Sequence, residues 1–154
     1  MYAMQRVLLS GLSQLTKDVL AKLPVKNTAT ILALSGELGA GKTTFVQTLG
    51  KALGITETMQ SPTYVLMRKY QILQGETLYN KVSPWNTLVH IDAYRLENPE
   101  EFAALRPEQF LQDQKTLVVV EWPEKVAGAL PPADLTVNFS SDGAKEGERY
   151  IEVI

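Results

Sequence analysis

One segment of the sequence carries residue types suited to binding phosphate, at a spacing that matches a known pattern. Residues 36–43 read Gly-Glu-Leu-Gly-Ala-Gly-Lys-Thr, a full match to the P-loop pattern G-x-x-x-x-G-K-[ST]. The glycines let successive backbone N–H groups surround phosphate oxygens, and the helix that follows adds its positive N-terminal end. Lys42 would reach the β- and γ-phosphates, and the Thr43 hydroxyl would bind Mg²⁺. The nucleotide-contacting residues predicted from this loop are Glu37, Leu38, Gly39, Ala40, Gly41, Lys42, Thr43 and Thr44.

The segments on either side of the loop are those that the motif needs. Residues 30–34 form a short apolar run rich in β-formers, and residues 44–53 place apolar side chains at helical spacing. A glycine-rich turn without a ligand is the alternative, but the Lys42–Thr43 pair between a strand and a helix argues against it. The sequence therefore predicts a protein that binds a nucleoside triphosphate.

Two carboxylates are candidates for the acid that accompanies a P-loop. Asp92 follows the apolar run 88–91, and Glu121 follows the apolar run 117–120. Both should emerge at the carboxyl edge of a parallel sheet, where ligands bind in open α/β folds. One would hold Mg²⁺ directly or through water, and the other would orient the attacking water or accept its proton. The residues alone leave the assignment open, so Lys42, Asp92 and Glu121 are together the predicted catalytic set.

Ser61-Pro62-Thr63 lies about twenty residues after the loop, where many P-loop hydrolases place a segment that senses the γ-phosphate. Ser61 and Thr63 are therefore predicted nucleotide contacts. The alternative is a Ser-Pro turn that leads into a strand.

Two further residues border the acids. His90, the single histidine, shares a strand face with Asp92 and is typical of a hydrogen-bonded structural residue rather than a catalyst. Trp122 follows Glu121 directly, before Pro123. It is either a packed residue at the rim of the sheet or a contact surface for nucleotide or partner.

Composition limits the class of protein. A chain of 154 residues with 45% hydrophobic residues suits one domain, 1–154, with a core of its own. The absence of cysteine excludes thiol catalysis, cysteine-ligated zinc and disulfides. No apolar run is long enough to span a membrane, and residues 1–6 lack the layout of a secretion signal, so we expect a cytoplasmic protein. A net charge of −2 argues against strong stand-alone binding to nucleic acid.

The order of elements predicts an α/β fold. Helices are expected over 11–23, over 44–53 and from Asn98, which would cap a helix with Pro99 in its first turn. Strands are expected over 30–34, 65–70, 88–91, 117–120, 135–139 and 149–153. This alternation predicts a P-loop NTPase-like three-layer sandwich whose central sheet is mostly parallel, with antiparallel edge strands contributed by a C-terminal hairpin at one edge. The polar stretch 71–86 is expected to be a loop or hairpin excursion.

Taken together, these segments resemble the TsaE family, also called YjeE. The blocks that carry the resemblance are Gly36–Phe45, Ser61–Tyr64, His90–Leu96, Asn98–Glu101 and Val120–Glu124. Their joint order is far more specific than the P-loop alone. Two segments depart from the family pattern. The stretch 71–86 is longer than expected, and Leu105-Arg106-Pro107 stands where a Leu-Gly turn is common.

The resemblance implies a bacterial ATPase needed for threonylcarbamoyl modification of the adenosine beside the anticodon in certain tRNAs. In that family the protein binds the TsaB–TsaD pair and does not transfer the group itself, so tRNA is met indirectly through the complex. ATP and Mg²⁺ are the implied cofactors, with Thr43 and Glu121 as metal contacts. Asp92 then takes the water-orienting or γ-phosphate role.

Two other functions fit parts of the sequence. A small-molecule kinase on the same fold would bring several arginines over the transferred phosphoryl group, whereas the five arginines here are scattered along the chain. A nucleotide switch without turnover is disfavoured by the paired acids. GTP specificity is disfavoured because Ser83 replaces the acid of the guanine-reading pattern N-K-x-D at residues 80–83.

Overall fold

The computed structural model describes residues 4–60, 66–73 and 82–154, and the described residues build a single seven-stranded sheet. Its strands are β1 Gln5–Leu8, β2 Thr30–Gly36, β3 Met67–Gln71, β4 Thr87–Asp92, β5 Thr116–Glu121, β6 Leu135–Ser140 and β7 Glu148–Val153. Their order across the sheet is β1-β7-β6-β2-β5-β4-β3. The P-loop strand β2 thus lies at the centre, with β5 and then β4 on one side.

The central part of the sheet is parallel, and both of its edges are antiparallel. Strands β6, β2, β5 and β4 run parallel to one another, whereas β1–β7, β7–β6 and β3–β4 are antiparallel pairs. The predicted three-layer α/β fold is confirmed, with a correction to the placement of the edges. The C-terminal hairpin begins with a strand that is parallel to β2, and a second antiparallel edge, β3, lies on the other side of the sheet. Strand β1 was not predicted, because its four residues are mostly exposed and show no alternation of apolar and polar types.

In the described ranges, four α-helices cover the two faces of the sheet. They are α1 Leu12–Lys22, α2 Lys42–Ala52, α3 Glu100–Ala103 and α4 Glu108–Leu111, and short 3-10 turns occupy Leu9–Gly11 and Pro123–Val126. Helix α1 ends where Pro24 prevents its continuation. At α3, the Asn98 side chain accepts the expected hydrogen bond from the Glu101 N–H at 3.2 Å, but the helix begins one residue later than predicted, with Pro99 as its N-cap.

Strand β2 shows how the two cores are separated. Leu32 and Leu34 point into the core that contains α1 and α2, whereas Ile31 and Ala33 point into the core beneath α3 and α4. This alternation is the period of two that a strand imposes on its side chains. Both faces of the central strands are apolar because both are covered, as is usual for parallel sheets. Within the described ranges, no helix has the length and apolar character needed to cross a membrane.

The polar stretch 71–86 is described only in part, since residues 74–81 lie outside the described residues. Its C-terminal end is anchored to the core. Trp85 is 1% exposed, and its indole Nε1 donates a hydrogen bond to the Thr30 hydroxyl at 3.2 Å. This part of the stretch therefore packs beside the start of the P-loop strand.

Candidate functional site

The P-loop connects the carboxyl end of β2 to the first turn of α2, and two of its glycines are required by the backbone. Gly36 has a φ of +145°, and a Cβ at this position would overlap the carbonyl oxygen of Phe139 on the neighbouring strand. Gly41 has a φ of +101° and is the N-cap of α2. Side chains are strained at such φ values, whereas glycine adopts them readily. The loop can therefore turn sharply and present backbone N–H groups at the helix N-terminus.

Lys42 is buried at the floor of this loop. Its Nζ donates hydrogen bonds to the carbonyl oxygens of Gly36 at 2.6 Å and Glu37 at 2.9 Å, and lies 4.5 Å from the centroid of the Trp122 ring. Burial lowers the pKa of Lys42, and the negative charges of Glu121, Asp92 and Glu37 act in the opposite direction. The ammonium group is thus held against the loop that would receive a triphosphate.

The two predicted acids lie next to each other at the carboxyl edge of the sheet. Asp92 and Glu121 are paired residues in the parallel register of β4 and β5, and both are at most 5% exposed. Because β5 is the direct neighbour of β2, Glu121 lies nearer the loop, and its two carboxylate oxygens are 3.3 and 3.4 Å from the Thr43 hydroxyl. Asp92 accepts a hydrogen bond from the Tyr94 N–H at 3.0 Å.

Trp122 lies beside the P-loop because strand β5 ends at Glu121. Its backbone adopts the left-handed conformation, with φ of 60° and ψ of 54°, and the 3-10 turn of Pro123–Val126 follows. The indole ring contacts the Tyr94 ring, with centroids 5.1 Å apart, as well as the Lys42 ammonium group. The sequence allows Trp122 to be either a packed residue at the rim of the sheet or a contact surface for nucleotide or partner, and the structure adds its contact with the P-loop lysine.

These residues line a cleft of about 610 Å³ that extends beyond the P-loop. Arg95 lies in its wall on the β4 side, and Arg149 of β7 lies in its wall on the opposite side. Arg149 donates a hydrogen bond to the Gly39 carbonyl oxygen at 3.4 Å. Leu8 and Leu9, both more than half exposed, border the same cleft.

A second contact ties the P-loop to the C-terminal hairpin. The Glu37 carboxylate accepts hydrogen bonds from the Ser141 N–H at 2.6 Å and from its hydroxyl at 2.7 Å. These bonds hold the pKa of Glu37 below its usual range. The hairpin therefore contacts the loop through both Ser141 and Arg149.

Sequence reasoning found the residues that lie within motifs and missed those that are distant in the chain. Arg149, Ser141 and Leu8 lie in segments that carry no functional motif, and only the sheet order brings them to the P-loop. The interpretation of the arginines as scattered holds along the chain but not in space, since Arg95 and Arg149 line one cleft. Ser61 and Thr63 lie outside the described residues, so their predicted contact with nucleotide stays a prediction.

Comparison with known proteins identifies the family. The family model described as "Threonylcarbamoyl adenosine biosynthesis protein TsaE" matches residues 10–151. The chain belongs to the TsaE family. The similar proteins in Haemophilus influenzae and Treponema pallidum are both named tRNA threonylcarbamoyladenosine biosynthesis protein TsaE. The first is 35% identical over 122 residues, which are 79% of this chain and 69% of the relative. The second is 36% identical over 123 residues, which are 80% of each chain.

A solved structure shares the fold of this TsaE family member. The crystal structure of Bacillus subtilis YdiB superposes with a TM-score of 0.61 at 23% sequence identity, and the match covers 98% of this chain and 84% of that one. The family model confirms the family that the spaced sequence blocks indicate, and the solved structure confirms the fold.

Proposed function

We propose that this protein binds ATP with Mg²⁺ and hydrolyses it in support of tRNA threonylcarbamoyladenosine formation. The observation that carries the proposal is the meeting of a full P-loop with two buried acids at one edge of the sheet, at the floor of a cleft of about 610 Å³. We infer the biosynthetic process from the names of the relatives, and the hydrolysis of ATP from the residues of the site.

The donor set suits Mg²⁺ bound together with a nucleotide. The Thr43 hydroxyl and the Glu121 carboxylate approach within 3.3 Å of each other and offer hard oxygen ligands. In the part of the chain that the structure describes, no group of three or more histidine, cysteine or acidic side chains forms a metal cage. Mg²⁺ commonly binds through one or two protein oxygens together with substrate phosphates, so these residues fit it. When bound, it would neutralise charge on the phosphate oxygens.

The remaining residues of the site take roles that follow from their positions. Lys42 would exchange its bonds with the Gly36 and Glu37 carbonyl oxygens for bonds to phosphate oxygens, which stabilises the negative charge of the transferred group. Asp92, one strand further from the loop than Glu121, would orient the attacking water. Ser61 and Thr63 are retained as predicted contacts to the γ-phosphate.

The proposed partners are the TsaB–TsaD pair, which the family resemblance implies. An ATPase that completes its site only in a complex would have low basal activity, and the pair would raise it. The test is ATP hydrolysis by the purified protein, measured alone and with the TsaB–TsaD pair. We expect slow turnover that rises sharply with the pair.

Matched variants make the test specific to the site. Lys42→Ala should abolish hydrolysis, whereas Lys51→Ala, which changes an exposed lysine in the last turn of the same helix, should leave hydrolysis unchanged.

Glu121→Gln should weaken the dependence of nucleotide binding on Mg²⁺. If Asp92→Asn alone does so, the roles of the two acids are reversed. Transfer of phosphate to a small metabolite, with no effect of the pair, would replace the ATPase proposal with a small-molecule kinase.

A further inference from the structure

His90 makes a short polar contact with Glu121, although the roles proposed above do not use it. Its Nε2 lies 2.6 Å from Oε2 of Glu121, and the two side chains are 1% and 3% exposed. His90 is on β4, two residues before Asp92, and Glu121 is the last residue of β5. The imidazole thus reaches diagonally across the two strands to the acid beside the P-loop.

The partners of the two ring nitrogens indicate which of them carries the proton. Within the described ranges, Nδ1 of His90 is buried without a hydrogen-bond partner. A buried N–H without an acceptor would carry the full cost of its desolvation. A carboxylate needs a donor, so Nε2 carries the proton and donates to Oε2 of Glu121, and Nδ1 is left as a bare acceptor.

This hydrogen bond restricts the orientation of the Glu121 carboxylate. The terminal torsion of glutamate is broad and roughly two-fold, so packing alone defines it weakly. With Oε2 bound to the imidazole, Oε1 and Oε2 lie 3.3 and 3.4 Å from the Thr43 hydroxyl, so the hydrogen bond holds the whole carboxylate beside the residue proposed to bind Mg²⁺. Without His90, the carboxylate would be free to turn towards Lys42. Among the charged groups, Glu121 already has the largest effect on the pKa of Lys42, which it raises.

We propose that His90 is a positioning residue that orients Glu121 for Mg²⁺ through the Nε2–H to Oε2 hydrogen bond. This inference rests on the proposed function, because it assigns to His90 the support of the metal-binding acid. Partners of this kind typically set metal affinity by 10- to 100-fold. His90 itself contacts neither the metal nor the nucleotide.

The test compares ADP binding in EDTA with ADP binding at increasing Mg²⁺, measured by isothermal titration calorimetry on the full chain. His90→Leu removes the donor at similar volume, whereas His90→Gln keeps an N–H donor near the position of Nε2. For His90→Leu, we expect about 10- to 100-fold more Mg²⁺ to be needed for the tight-binding state, with unchanged affinity in EDTA. His90→Gln should recover most of the Mg²⁺ response.

Two results would overturn the inference. One is an unchanged Mg²⁺ requirement in His90→Leu, and the other is an equal loss of ADP affinity in EDTA, which would indicate general damage to the P-loop. A wild-type protein that binds no ADP in either condition would instead refute the proposed function. The double variant His90→Leu/Glu121→Gln distinguishes an effect of His90 through Glu121 from an effect independent of Glu121. If His90 acts through Glu121, its loss adds no further defect once Glu121 is changed.

Removing one partner of a buried pair can prevent folding, so a second measurement uses the unaltered chain. Its single histidine gives one set of imidazole signals in nitrogen-15 NMR spectra. We expect Nε2 to carry a proton, and that proton to be retained when ADP and Mg²⁺ are added. Protonation at Nδ1 alone would remove the donor to Glu121 and contradict the proposal.

Discussion

Trp122 and Arg106 share an unusual backbone conformation but differ in the side chains that surround them. Both are left-handed residues, with φ of 60° and 51°, and each directly precedes a proline and a short helical turn. L-residues in this conformation cost about 1–2 kcal/mol, and a following proline normally favours extended backbone. Trp122 packs against Tyr94 and the Lys42 ammonium group, whereas Arg106 is exposed between α3 and α4.

The comparison teaches that a left-handed residue marks a sharp change of chain direction and does not by itself mark a function. At Trp122, the change of direction ends β5 and brings an aromatic ring to the P-loop. At Arg106, it joins the two short helices α3 and α4. What distinguishes the two sites is the buried cation beside one of them. The predictions below test this difference.

The largest loss of ATP hydrolysis is expected from removing the Lys42 ammonium group. Lys42→Ala should lower ATP hydrolysis by about 100-fold or more, the scale found when one preorganised donor to a developing negative charge is lost. Steady-state kinetics with the TsaB–TsaD pair measure this, and equilibrium unfolding in urea confirms that the variant is folded. Activity at the wild-type level would disprove the role assigned to the P-loop.

The next largest loss of activity is expected from removing the indole ring of Trp122. Trp122→Ala should lower kcat/KM by about 10-fold, since a partly desolvated cation–π contact of 1–2 kcal/mol helps to hold Lys42 in place. Trp122→Phe keeps a ring at the same position and should retain most of the activity. We expect the alanine variant to lose more of the partner-stimulated rate than of the basal rate. Equal losses in both would reject a role specific to the partner.

A smaller effect is expected where the hairpin contacts the loop. Glu37→Ala should weaken ATP binding several-fold, because the loop loses its bonds to Ser141, whereas Glu146→Ala in the same hairpin connection should have no effect. The pKa of Glu37 is lowered in the folded protein, so its contribution is complete above the ordinary carboxyl range and is lost as pH falls through the lowered pKa. Binding by Glu37→Gln should lack this acid dependence, and a profile identical to that of the wild type would assign the dependence to another group.

The smallest effect is expected at Arg106. Arg106→Gly relieves the left-handed strain but adds entropy to the unfolded chain, for a net gain in stability of about 0.5–1 kcal/mol. Urea unfolding measures the gain, and ATP hydrolysis should be unchanged. Trp122→Gly is the matched variant, since it relieves the same strain yet should lose activity through the missing ring. A loss of activity in Arg106→Gly would show that the two positions do not differ as described.

Most of the helices and strands could be predicted from local patterns. The helix at 11–23 was found as Leu12–Lys22 because an apolar stripe and Pro24 define it. The strands predicted over 88–91, 135–139 and 149–153 are each one or two residues longer in the structure than in the prediction. Strand β1 was missed, since an exposed edge strand of four residues buries too little to leave a pattern.

The sequence by itself determined the chemistry of the loop and the family. The P-loop, the two acids at strand ends and the spaced blocks are local features, because each depends on residues that are neighbours in the chain. The tertiary structure decided which distant residues join them. The order β7-β6-β2-β5-β4 places Arg149 and Ser141 on one side of the P-loop and His90 on the other. Strand order depends on the packing of whole layers, so contacts between separate strands leave no mark in any local pattern.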